Sequence, residues 1–179
     1  MGELVMANNP FVEFVEQADN WNNLLRTLEF IRDNSVYVGI PDESTERKEK
    51  DGVTNAELLF IHTNGSPIRN IPSRPVIEPA IKNDRERLSA MMKKAAQLAF
   101  DNKESQAIDQ LRKTGMRGQN VSRAWFVNPE NGWPEDKPET IRRKSKGKPA
   151  GYKPRTLIDT SQLRNSITYF VKTKGGKTK

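Results

Sequence analysis

Residues 54–80 carry the punctuation that most limits what this chain can fold into. Thr54 is followed three residues later by Glu57 and then by the apolar run Leu58-Leu59-Phe60-Ile61. That spacing predicts a capping box, in which each side chain accepts a hydrogen bond from the other residue's backbone N–H at a helix start. Asn64-Gly65 predicts the helix end, since glycine takes the left-handed conformation past the last turn without a Cβ clash. Pro72 and Pro75 push the residues before them towards extended backbone. Ile71-Pro72-Ser73-Arg74-Pro75 therefore reads as a stiff, non-helical strap. Pro79 fits the first turn of a following helix, where its missing N–H is not needed.

The flanking segments supply an α+β pattern. From Phe11 to Ile31, apolar residues at Phe14/Val15, Ala18, Trp21, Leu24/Leu25 and Leu28 recur at three- and four-residue steps. They share one face of a helix that needs something to lie against. Val36-Tyr37-Val38-Gly39-Ile40 and Ile167-Thr168-Tyr169-Phe170-Val171 are β-branched and aromatic, as strands are. Pairing them ties the end of the chain to its beginning. After the strap, Ile81, Leu88, Met91/Met92, Ala95 and Leu98/Ala99 form a stripe on a helix from about 79 to 101. Asp101-Asn102 is the place for an interruption, and Ala107, Ile108 and Leu111 then resume helical spacing. Gly115 and Gly118 read as a corner before a further short helix holding Val121, Ala124, Trp125 and Val127.

The expected fold is α+β: a small antiparallel sheet of strands near 36–40 and 166–172, packed with a long helix and several shorter ones. The domain spans 10–172, after an arm at 1–9 and before a basic tail at 173–179. Mobile loops are expected at 42–53, which is almost wholly charged, and at 129–156, which is rich in Pro, Gly, Lys and Arg.

With 34% hydrophobic and 30% charged residues, a good share of the chain is expected to stay solvated or to be covered by a partner, and the chain reads as an incomplete monomer. The absence of cysteine excludes disulfides, thiolate metal sites and a cysteine nucleophile, and a single histidine, His62, excludes a multi-histidine metal site. No cofactor is expected. No apolar run approaches the roughly 20 residues that span a bilayer, and Glu3 stands where a signal peptide carries bases, so no membrane contact is expected and the protein reads as soluble and intracellular when made. Charge is unevenly placed: residues 141–179 hold twelve Lys/Arg against Asp159 alone, a net +11, which leaves the first 140 residues at −4 of the total +7. Such a split suits a face that meets nucleic acid or acidic protein, or a solvated basic tail.

Catalytic chemistry finds no footing. His62 has no second histidine and no His-Glu-x-x-His run around it, and Ser66, Ser73 and Ser161 lack nucleophile-elbow glycines. A non-enzymatic protein is expected. Arg142, Arg143, Lys144, Lys146 and Lys148 are suited to phosphates or to an acidic partner, and Trp125, Trp133 or Tyr152 to stacking on bases. No helix-turn-helix, zinc-finger or RNA-binding signature accompanies them, so any DNA contact is expected to be non-specific.

Three segments, in order, resemble the virion-morphogenesis or tail-component proteins of tailed bacteriophages. Val38-Gly39-Ile40-Pro41 and, after a charged loop, Ala56-Glu57-Leu58-Leu59-Phe60-Ile61-His62-Thr63-Asn64-Gly65 are similar to the family's strand and its alanine…isoleucine-histidine…glycine helix. Ile71-Pro72-Ser73-Arg74-Pro75-Val76-Ile77-Glu78-Pro79-Ala80 resembles its isoleucine-proline-x-arginine-proline strap. Asn131-Gly132-Trp133, Thr140-Ile141-Arg142-Arg143-Lys144 and Leu157-Ile158-Asp159-Thr160-Ser161-Gln162-Leu163 resemble its closing segment, with Ser161 where the family usually has glycine and Thr63-Asn64 in place of its more frequent Glu-Phe pair. The resemblance implies a ring-forming structural protein of the neck or tail-completion stage, with a hexamer as the family's usual symmetry. A tail terminator capping the tube is the alternative within the particle, and a non-specific nucleic-acid-binding protein the alternative outside it. The implied partners are copies of the chain, the portal-side connector, and tail-tube or terminator proteins, with DNA in the lumen. The implied location is the virion, after assembly in the host cytoplasm. Ile71, Pro72, Arg74, Pro75, Trp133, Leu157, Asp159 and Leu163 are the implied interface or architectural residues.

Overall fold

The computed structural model describes residues 10–41, 52–158 and 161–178, with side chains for all of these except 10–18, 177 and 178. Helix α1 (Pro10–Asp33) leads into strand β1 (Ser35–Gly39), and α2 (Asn55–Asn64) precedes the strap. Helices α3 (Ile77–Asn83), α4 (Arg85–Phe100) and α5 (Glu104–Trp125) form the helical body. A 3-10 turn (Pro129–Asn131), α6 (Pro138–Ser145), α7 (Gln162–Ser166), β2 (Thr168–Thr173) and β3 (Gly176–Thr178) complete the chain. The architecture is α+β. Most of the loop expected at 42–53, and Asp159, lie outside the described residues.

The two expected strands pair antiparallel, with Val36 opposite Val171, Tyr37 opposite Phe170 and Val38 opposite Tyr169. Strand β2 starts at Thr168 because Ser166 still belongs to α7. Residues 173–179, read as a basic tail, finish β2 and supply β3, so the sheet has three strands in the order β1-β2-β3. Alternation along β2 buries Tyr169 and Val171. On the other face Tyr37 and Phe170 stack with ring centroids 4.9 Å apart.

Two expectations for the helices need correction. The helix read over 79–101 is two helices, broken at Asp84, whose carboxylate pairs with Arg117 of α5. That pair fixes the bend against the neighbouring helix. The corner read at Gly115 and Gly118 does not exist, because α5 runs unbroken through both. They are packing positions: a Cβ on Gly115 would meet the ring of Tyr169, and one on Gly118 would lie 2.8 Å from Val38 Cγ2. Glycine is placed here for what it lacks, so that the sheet can approach the helix backbone closely. Tyr169 and Val38, each on the sheet face turned to α5, are the residues it admits.

Two buried clusters hold these layers. One joins Leu59, Val76, Ala80, Trp125, Phe126, Leu163 and Ile167 across α2, α3, α5 and α7. The other joins Phe30, Ala95, Ala99, Ala107, Leu111 and Val171. Among the side chains of α1 that the structure describes, Phe30 is the one that enters this second cluster, beside the buried Thr27. Of the α1 apolar stripe, which needs something to lie against, Trp21, Leu24, Leu25, Leu28 and Ile31 are all exposed.

Candidate interaction cleft

Helix α2 starts as its sequence demands. The Thr54 hydroxyl accepts from the Glu57 backbone N–H, and the Glu57 carboxylate accepts from the Thr54 N–H at 2.8 Å. Its end is closed by the strap. Gly65 N–H donates to Ile61 O, Ser73 Oγ to Thr63 O at 2.6 Å and Arg74 N–H to His62 O at 2.5 Å. The strap thus satisfies last-turn carbonyls that every helix leaves unpaired. Gly65 has φ +75°, and a Cβ there would sit 2.9 Å from Ser73 N, so conformation and close approach both call for glycine. Ser66 and Ile71 exchange backbone hydrogen bonds at 2.8 and 2.9 Å, which ties off the intervening turn.

Held this way, Arg74 is driven inward. Its guanidinium donates to Pro134 O at 2.8 Å and Glu135 O at 3.0 Å, and lies 3.3 Å from Asp136 Oδ1. Lys144 of α6 approaches the other Asp136 oxygen at 2.8 Å and donates to Arg155 O at 2.9 Å. The side chains of Arg74, Asp136 and Lys144 are only 8%, 8% and 7% exposed. Two buried cations on one carboxylate would be costly, but backbone carbonyls take up the remaining donors. Trp133 anchors the same segment: its Nε1–H donates to Pro75 O at 3.0 Å, and its ring stands edge-on to Phe126 at 5.7 Å.

Between these elements lies a cleft of about 600 Å³. Ile71, Pro72 and Arg74 of the strap line it, with Leu157 and Leu163 of the closing segment. Arg143 and Lys144 contribute from α6. Seven of the thirteen residues singled out from the sequence as interface, architectural or partner-facing thus meet in one place, from three separated segments. Pro75 and Trp133 brace it from behind. Leu157 and Ser161, both at the cleft, have φ +58° and +61°. Ser161 therefore adopts a left-handed backbone that glycine takes without cost.

The basic run is divided rather than shared. Arg142, Lys146 and Lys148 are exposed, with Lys148 Nζ 5.9 Å from the Tyr152 ring centroid. Lys144, expected to face DNA or an acidic partner, is instead buried, because Asp136 and the Arg155 carbonyl take its donors. Sequence reasoning missed Asp136 altogether. One acid among several, with Glu130, Glu135 and Glu139 nearby, carries no signal of its own; only the spacing to Lys144, across α6, hints at a pair. Among the described residues, no three His, Cys, Asp or Glu side chains gather as metal ligands would, and no helix is long and apolar enough to cross a membrane.

His62 also lines the cleft, and its Nδ1 is buried without a hydrogen-bond partner. Burial, and then the nearby Arg74, hold its pKa below the ordinary imidazole value of 6.5, against a smaller opposite pull from Asp136. The fold therefore favours neutral His62, and the unfolded chain takes up the proton first as pH falls. The stabilisation is complete above 6.5 and is lost as pH drops through that value towards the depressed one. Urea midpoints are expected to decline as pH falls from about 7 to about 5, and His62→Gln to flatten that decline. An unchanged slope in the variant would exclude His62 as its source.

No protein-family model, curated protein or solved structure matches this chain.

Proposed function

We propose that this chain is a structural virion protein of a tailed phage, a neck or tail-completion component that forms a ring at the head–tail joint. One observation carries the reading: the three segments that resemble the tail-component family, far apart in the chain, line a single cleft. Their shared task is architectural. The strap caps α2, buries Arg74 and so orders 133–144, while α7 and Leu157 close the other side. In this reading the cleft receives a segment of a neighbouring ring, with the exposed Arg143 and Lys137 beside it favouring an acidic one. The exposed cations Arg142, Lys146 and Lys148 suit non-specific contact with DNA in the lumen.

The test is genetic. A phage lacking this chain is expected to yield filled heads and finished tails that do not join, with joining restored when purified protein is added. Normal joined particles without it would refute the proposal. The strap gives a sharper version. Replacing Pro72 and Pro75 together by Ala frees the backbone between α2 and α3 while leaving the cluster around Val76 in place. Joining in an extract assay is expected to fall at least tenfold, with the melting temperature lowered by only a few degrees, about 1 kcal/mol. Full joining activity in that variant would remove the strap from the mechanism.

A further inference from the structure

Helix α1 lies against the body along a narrow seam. Among its residues with described side chains, only Thr27 and Phe30 are buried. Trp21, Leu24, Leu25, Leu28 and Ile31 form a stripe beside that seam, each between 41% and 60% exposed. Five large apolar side chains along about 15 Å of helix are more than scattered surface hydrophobes. Stable burial of such a stripe requires a groove of matching kind.

The chain carries one. Met91 of α4 and Met116, Val121 and Ala124 of α5 line an open, mainly apolar groove of about 450 Å³, with the exposed Lys113 beside it. Methionines suit such a surface because their unbranched, polarizable side chains adapt to what enters. Charge matches as well. Helix α1 has five acids against two bases, a net −3. Helix α4 has four bases against one acid and α5 four against two, together +5. Within one chain the two surfaces do not meet, since the stripe is exposed and the groove is open.

We propose that the α1 stripe of one copy seats in the α4–α5 groove of the next. The contact joins two different surfaces, so it is heterologous and propagates from copy to copy until it closes into a ring. Ridge-into-groove packing of one helix between two others is the ordinary geometry for it. The inference names the subunit contact of the proposed ring, and so rests on the reading that copies of this chain associate.

The cysteine-free chain allows a direct test. Full-length protein carrying both Leu28→Cys and Met116→Cys, under mild oxidation, is expected to give a ladder of disulfide-linked multimers on a denaturing gel. Each single variant is expected to stay at the background set by Ile68→Cys, a fully exposed site. No ladder, or dimers from Leu28→Cys alone as abundant as those from the double variant, would overturn the pairing. In parallel, Leu28→Asp is expected to weaken association at least tenfold while leaving the urea midpoint of unfolding unchanged at dilute concentration. Wild-type association in that variant would also overturn it. Native mass spectrometry of the unaltered chain separates the two failures. Oligomers without the ladder remove this contact and leave the ring; a monomer at every concentration, both alone and with portal-side and tail-tube proteins, removes both.

Discussion

Asp136→Ala is expected to destabilise the protein by about 3–5 kcal/mol, the usual cost of leaving a buried charge without its partner. The substitution strands two cations, since Arg74 and Lys144 both face that carboxylate with side chains less than a tenth exposed. Their remaining acceptors, the carbonyls of Pro134, Glu135 and Arg155, are neutral and already engaged. A drop of roughly 6–20 °C in melting temperature follows at about 2–4 °C per kcal/mol for a chain of this size. Adding Lys144→Met should recover part of the loss, because it removes one of the stranded charges. A cost below about 1 kcal/mol for Asp136→Ala would mean that the carboxylate is dispensable and that the strap does not organise 133–144 through it.

Gly115→Val is expected to cost about 2–3 kcal/mol, against the small gain that any side chain brings over glycine inside a helix. Even a Cβ at this position meets the Tyr169 ring, and Tyr169 is itself buried between α5 and the sheet. The ring has to leave or the sheet has to lift. Thermal unfolding of Gly115→Val, Tyr169→Ala and the double variant reads this directly. The pair should be strongly non-additive, with the double variant more stable than the two single losses combined predict. Strict additivity would show that the valine is accommodated elsewhere.

These two sites mark the boundary of what the sequence makes legible. The capping box at Thr54-Glu57, the stop at Gly65 and the strands at 36–40 and near 168–171 follow from local rules, and they stand where those rules put them. Gly115 and Gly118 defeat local reasoning, because the same residue type breaks a helix in isolation and permits close packing when a sheet covers it. The order in 133–144 is invisible for a similar reason. It depends on Arg74, sixty residues upstream, and a segment dominated by Pro, Lys and Glu gives no hint that a distant guanidinium will complete it. The α1 stripe was legible as a stripe. What covers it is not encoded in the helix, and among the described side chains of α1 it is Phe30 and Thr27 that are buried within the chain, while the stripe residues from Trp21 to Ile31 are exposed. Of the cleft, the strap and closing segments were readable, while Asp136 and the burial of Lys144 needed the third dimension.

Closure of several copies of this chain into a ring is the central claim. Native mass spectrometry of the purified protein across micromolar concentrations, alone and with portal-side and tail-tube proteins, addresses it most directly. A single closed oligomer, a hexamer if the chain follows the symmetry of the family it resembles, formed alone or on addition of those neighbours, is the expected result. A monomer under all these conditions that instead binds duplex DNA tightly, with affinity falling steeply as salt rises, would contradict it.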